Sequence, residues 1–385
     1  MTGVPDVSGP APRLDALTGI RFVAAIAVFN AHVIPPADGP AILATVSLAG
    51  HDWMTMFFIL SGLILVWNYD AVIGDRLTGP GLRTYYVARL ARIYPLYLLA
   101  LALAVIPSVT SGADVAGLLT DPRFWQHVVA LQTWSGDLSV AYGFNPPAWS
   151  IGVEFFLYAL FPLLLVAIRP IRQSPRALVA VAAAAILVAV AITLVLVVAG
   201  LAELPRTDPH SAHRWIYRTP LTRIPDFVLG MSLGYLIMLS RSRSMKRVGV
   251  VVQGIGAALV VGSMLIAPLV ESVWSLDVAA MIPFALVMLG LVWAPRTGLA
   301  RLLSTRLCVF LGEVSFAFYL LHVLVISAVG QPRGDGVVAW AASWIAAFAL
   351  TLFAAAGAHM LVERPARVAI RAALDRRAKT APPPT

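Results

Sequence analysis

Residues 84–106 read TYYVARLARIYPLYLLALALAVI. Arg89 and Arg92 sit near the start of this run, and no charged residue follows them as far as Ile106. A helix that crosses a bilayer needs roughly 20 mostly apolar residues, and this run supplies them. Nine further runs of the same character lie at about 19–36, 49–68, 149–168, 177–199, 220–239, 247–267, 276–294, 307–329 and 337–361. Asp52 and Pro283 interrupt two of them. The expected fold is therefore an all-α polytopic membrane protein, a bundle of about ten transmembrane helices. Composition points the same way. Of the 385 residues, 59% are apolar and only 12% charged, against about 25% charged in an ordinary soluble domain. That balance excludes a soluble globular enzyme and a disordered chain.

The net charge of +9 could suggest nucleic acid in a soluble protein, but here the charges fall in short linkers between apolar runs. They follow the positive-inside pattern instead. Of the 28 basic residues, Arg123, Arg206, Arg214, Arg218, Arg223 and Arg333 lie in one alternating set of linkers, and all the others belong to the opposite side. Both termini are thus expected in the cytoplasm, in a multi-pass protein of the cell membrane that has the lipid bilayer, not nucleic acid, as its partner. The expected organisation is a cytoplasmic segment at 1–18, a membrane domain at 19–361 and a basic cytoplasmic tail at 362–385, ending in the disordered Pro382, Pro383 and Pro384. The start lacks a signal peptide's basic residues, so the first helix is expected to be retained. Pro122 to Trp134 is expected to lie as an amphipathic stretch along the interface. The single cysteine, Cys308, excludes an intrachain disulfide.

Ionisable residues at membrane depth are costly and mark function by default. Arg21 and His32 share the first run. Eleven helical residues turn three times plus about 20° and rise about 16 Å, which puts both on one stripe. Arg89 and Arg92, three apart, share a face and form a fork suited to phosphate. Either arginine set could equally be an interfacial anchor whose heads snorkel. Glu154 falls at about the depth of His32, where a carboxylate would orient an imidazole and raise its basicity. It could instead pair with an arginine. Ser315, Tyr319 and His322 share one face of the ninth run, either as a hydrogen-bond network or, for His322, as part of a site. Arg223 and Asp226 are expected to form a structural pair. No Walker loop, no Gly-x-Ser-x-Gly elbow and no metal-ligand spacing occurs among the seven histidines, so no metal is expected. On residues alone, buried His, Glu and Arg fit a membrane enzyme, a proton-coupled small-molecule transporter or a non-catalytic lipid- or partner-binding scaffold. The transporter is disfavoured because no inverted repeat is visible.

The ordered motifs resemble the acyltransferase 3 family of integral membrane acyltransferases across nearly the whole chain. Arg21-x10-His32 resembles its opening helix; Phe57, Phe58, Leu60, Ser61 and Gly62 its second; and Arg89-x-x-Arg92, with Tyr94 and Pro95, its third. Trp149, Ser150 and Glu154, then Ser315, Tyr319 and His322, and the closing LVERP follow in the family's order. Gly152 departs mildly, standing where the family often has a side chain such as serine. The resemblance implies a short stand-alone O-acyltransferase similar to those that modify macrolide antibiotics or surface polysaccharides. Its donor would be acyl-CoA, with acetyl-CoA expected, entering from the cytoplasm. Arg21, Arg89 and Arg92 would hold the donor phosphates. His32 would be the base, with Glu154 or His322 orienting it, and the acceptor would be a hydroxylated carbohydrate or macrolide. Self-association into a homo-oligomer stays open.

Overall fold

The computed structural model describes residues 14–74, 77–112, 114–241, 244–266, 273–333 and 336–380. The first thirteen residues and the Pro382–Pro384 end, both given roles in the reading above, lie outside them. Among the described residues there are helices and loops and no strand. The ten apolar runs all become helices: α1 Asp15–Ala31, α2 Trp53–Ile73, α3 Gly79–Thr110, α4 Trp149–Ile168, α5 Pro175–Val198, α6 Ile224–Ser240, α7 Lys246–Ile266, α8 Val278–Trp293, α9 Arg306–Val329 and α10 Val337–Ala358. A basic helix, α11 Arg364–Thr380, follows. Among the described residues eight stretches, all but those of α1 and α8, are long and apolar enough to cross a bilayer. The chain is a polytopic membrane protein. The other two runs give helices of only 17 and 16 residues. α1 stops at Ala31, just ahead of Pro35 and Pro36, which cannot continue it. α2 starts later than the pattern suggests, because His51 and Asp52 occupy a 3₁₀ turn before it.

α2 is the hub of the bundle, packing on α1, α3, α4, α6 and α8. Small residues let backbones approach where lipid gives helices no hydrophobic reason to associate. A Cβ on Gly230 would overlap the carbonyl oxygen of Ile59, and one on Gly62 that of Phe227, so α2 and α6 meet backbone to backbone. Gly312 of α9 meets Thr18 of α1 in the same way, and Gly50, just before α2, meets Ala27.

A buried ion cluster ties α2, α6 and α8 together. Arg223 Nη1 lies 2.6 Å from Asp277 and 3.1 Å from Asp226, both pairs essentially unexposed. Thr55 Oγ1 donates to Asp277 at 2.9 Å. The local Arg223–Asp226 pair is as the spacing predicts, and Asp277 is the long-range member that spacing could not reveal. Pro122 to Trp134 differs from expectation. The helix there ends at Val128 after 7 residues, and Ala130 turns the chain with φ 56°. The hydroxyls of Tyr94 and Tyr97 hold this segment by donating to the carbonyls of Val128 and His127. Trp125, Val129 and Leu131 still face outward.

Candidate active site

A cavity of about 1020 Å³ opens among α1, α2, α3, α4, α9 and the start of α11. Arginines line it from three helices: Arg21 from α1; Arg83, Arg89 and Arg92 from α3; and Arg367 from α11. The carboxylates of Asp15, Glu154 and Glu313 line it too. Arg89 is fixed from one side. Its Nη2 donates to the Tyr69 hydroxyl at 2.6 Å, and the guanidinium lies 4.7 Å from the centre of that ring. The Tyr158 ring lies 5.7 Å from it. Arg89 Nε is buried with no hydrogen-bond partner, a charged donor left over for an anion.

Hydroxyls line the cavity as well, from beside Arg89 to Tyr319. Glu154 accepts from the Tyr158 hydroxyl one turn along and from Ser61 Oγ at 3.5 Å. Ser150 Oγ and the Tyr319 hydroxyl are 2.8 Å apart, and Tyr319 donates to the Pro147 carbonyl at 2.9 Å. On α9, Val309 and Tyr319 both line the cavity. Ten residues of helix separate them, so the cavity runs about 15 Å along that helix.

Just past Tyr319, two histidines meet. His32 caps the end of α1, and its Nδ1 lies 2.9 Å from the Val28 carbonyl and 3.2 Å from His322 Nε2. His322 Nδ1 lies 2.5 Å from the Tyr319 carbonyl. A carbonyl only accepts, so each Nδ1 carries the hydrogen. His322 Nε2 is then bare and accepts from His32. His32 Nε2 is left with a free lone pair, able to take a proton. Phe29, Phe318 and Trp344 pack behind the pair, while the His51 ring stands 6.2 Å from that of His32.

Of the six residues singled out in the sequence, the structure brings together Arg21, Arg89 and Arg92 around one end of the cavity, and His32 with His322 beyond the other. Glu154 joins Ser61 and Tyr158 inside the arginine cavity, whose described lining does not include His32. Depth along a helix fixes height but not bearing, and Glu154 points toward α2. Sequence reasoning missed Arg83, Arg367, Tyr158 and His51. Only Arg83 carried a signal, as a basic residue one turn inside the start of α3. Outside the membrane spans, His213 stacks at 5.2 Å on Tyr217. Burial, reinforced by the charge of Arg206, pushes its imidazole down to about 3. Burial likewise lowers His127 and pushes the Tyr142 phenol up to about 12. Among the described residues, no three His, Cys, Asp or Glu side chains gather as metal ligands would.

A family model described as an acyltransferase domain matches residues 14–360. The chain belongs to the acyltransferase 3 family. Acyltransferase MdmB of Streptomyces mycarofaciens is 30% identical over 378 residues, covering 92% of this chain and 91% of its own length. Protein 2 in the picA locus of Rhizobium radiobacter is 34% identical over 94 residues, or 24% of this chain and 45% of its own. No solved structure matches. The protein is thus a membrane acyltransferase. In this acyltransferase 3 member the cavity thus gathers arginines and hydroxyls, and the His32–His322 pair lies outside its described lining.

Proposed function

We propose that this acyltransferase moves an acyl group, acetyl being the expected one, from acyl-CoA to a hydroxyl of a sugar-containing or macrolide-type acceptor at the cell membrane. The observation that carries the reading is the cavity itself, lined by arginines and hydroxyls and running about 15 Å along α9 from Val309 to Tyr319. That length suits a phosphopantetheine arm, with the nucleotide phosphates on Arg21, Arg89 and Arg92 and the thioester near Ser150 and Tyr319. Tyr319 borders both halves of the site. Its side chain lines the cavity, and its carbonyl holds His322.

In this reading His32 Nε2 takes the proton of the acceptor hydroxyl as that oxygen attacks the thioester carbonyl. The tetrahedral oxyanion is met by Ser150 or Tyr319 once its hydroxyl hydrogen turns away from the Pro147 carbonyl, to which both donate in the resting site. Collapse breaks the carbon–sulfur bond, and the departing thiolate recovers the proton from the imidazolium. His322 orients the His32 ring. Glu154 belongs to the donor side, where it holds Tyr158 under Arg89.

The test is purified protein with labelled acetyl-CoA and a panel of hydroxylated acceptors. Acyl-ester formation is expected. Arg89→Ala and Arg92→Ala should each weaken donor binding by roughly 10- to 150-fold, since a charge-assisted hydrogen bond contributes about 1.5–3 kcal/mol. Arg→Lys should rescue poorly, because a lysine lacks the fork. A thioester left intact with every acceptor, or unchanged donor affinity in both alanine variants, overturns the reading.

A further inference from the structure

One face of α2 forms a continuous wall of the cavity. Met54, Phe57, Ser61, Ile64 and Asn68 follow one another at spacings of three and four, and all of them line it. Tyr69, at the arginine end of this wall, holds Arg89 at 2.6 Å. Fifteen residues earlier, about 22 Å along the helix, the wall closes at Met54. Asn68 is exposed and Ile64, Ser61 and Phe57 are half-buried, whereas Met54 is 3% exposed. Met54 is also the first residue of α2 to line the cavity. Ser150 and Ile151 of α4 and Tyr319 of α9 mark the same end on the facing helices. The Phe57 ring lies 6.1 Å from that of Tyr319, so Met54 stands about one turn past the Ser150–Tyr319 pair. Apart from that pair the lining at this end is apolar: Met54, Phe57, Phe58 and Ile151. The helix is anchored on either side of Met54. The Trp53 ring packs on Phe284 at 4.9 Å, Thr55 Oγ1 donates to Asp277 at 2.9 Å, and Phe58 meets the Trp149 ring and the Arg223 guanidinium.

Resting on the acyl-CoA reading above, we infer that this apolar end is the acyl-chain pocket and that Met54 sets the longest chain it accepts. With the thioester at Ser150 and Tyr319, the chain beyond its carbonyl runs along the α2 stripe toward Met54. The step from Phe57 to Met54 rises about 4.5 Å, and an extended carbon chain advances roughly 1.3 Å per bond. About three carbons past the carbonyl therefore fit, which suits uncharged acyl groups up to butyryl. Acetyl enters and leaves part of the pocket unfilled. A succinyl group is of similar length, but its terminal carboxylate would lose water against Met54 and Phe57, and none of the residues at this end is a cation.

Binding of coenzyme A and of its acetyl, butyryl, hexanoyl and succinyl thioesters, measured on the full-length protein in detergent without an acceptor, tests this. In the wild type, affinity should rise about threefold to fourfold per added carbon from acetyl to butyryl and fall by about tenfold or more at hexanoyl. The succinyl thioester should bind no better than coenzyme A. Met54→Ala removes the side chain past Cβ and should move the optimum to hexanoyl. Met54→Phe fills the pocket and should move the optimum back to acetyl, which keeps the test independent of whether the alanine variant folds. Met54→Leu conserves the volume and should keep the wild-type order. Coenzyme A itself should bind every variant alike, because the arginines are untouched; that constancy reports an intact fold. Hexanoyl bound by the wild type as tightly as butyryl overturns the inference and leaves the donor reading standing. So does an optimum that neither Met54→Ala nor Met54→Phe moves, or that Met54→Leu moves as far. Wild-type protein that binds none of these compounds overturns the donor reading along with it.

Discussion

Replacing His322 by alanine removes one of the two acceptors that hold the His32 Nδ1 hydrogen. The Val28 carbonyl at 2.9 Å remains, and the contact to His322 Nε2 at 3.2 Å is lost. A neutral hydrogen bond contributes a net of about 0.5–1.5 kcal/mol, so the imidazole should stay mostly in its working tautomer. Turnover should fall by about 2- to 12-fold. His322→Gln should fall less, since its amide oxygen can accept the same hydrogen. His32→Ala removes the proposed base and should cost about 10²–10⁴-fold. Donor affinity should be unchanged in all three, because Arg21, Arg89 and Arg92 are untouched. The assay is initial-rate acyl transfer at saturating acetyl-CoA, paired with donor binding on the same preparations. If His322→Ala loses as much as His32→Ala, the base has been assigned to the wrong histidine. Near-normal turnover of a correctly inserted His32→Ala protein refutes the base assignment altogether.

Three further outcomes are expected. In a Cys308→Ser background, cysteines at Arg296 and Ser139, both exposed, should label from opposite faces of the membrane; labelling from one face sinks the topology. Gly230→Ala drives a methyl into the Ile59 carbonyl and should destabilise the α2–α6 contact by about 1–3 kcal/mol, read as a lower Tm in detergent; an unchanged Tm would show the helices free to part. His213 is held down to about 3 in the fold but titrates near 6.5 unfolded. Its contribution is whole above about pH 6.5 and is lost toward pH 3 at about 1.4 kcal/mol per pH unit. Tm should therefore slope down with acid, less steeply in His213→Asn, and equal slopes would place the acid sensitivity elsewhere.

Helix positions were legible because hydrophobic length is a local property, and all ten runs became helices. The shared face of Arg89 and Arg92 was legible too, since i, i+3 spacing sets a face, whereas Arg21 joined them only through the resemblance. What the sequence withheld was bearing around the bundle axis. Glu154 and His32 were matched by height, yet Glu154 turns toward Ser61 and Tyr158. Asp277 reaches Arg223 across 54 residues of chain, a pairing no periodicity encodes. The Pro122–Trp134 stretch looked amphipathic by composition, but Ala130 adopts a left-handed conformation and breaks it. Arg367 lay in a basic tail whose charge was fully explained by membrane sidedness, which hid its place at the cavity.

Glycine contacts fuse α1 with α9, α2 with α6 and α7 with α8, and Gly50 against Ala27 fastens the first two pairs together near His32. His32 ends α1 and His322 rides on α9, so the Gly312–Thr18 approach that clamps these two helices also sets the spacing of the two imidazoles. A side chain at Gly312 would wedge the helices apart and reach the histidine pair from a distance.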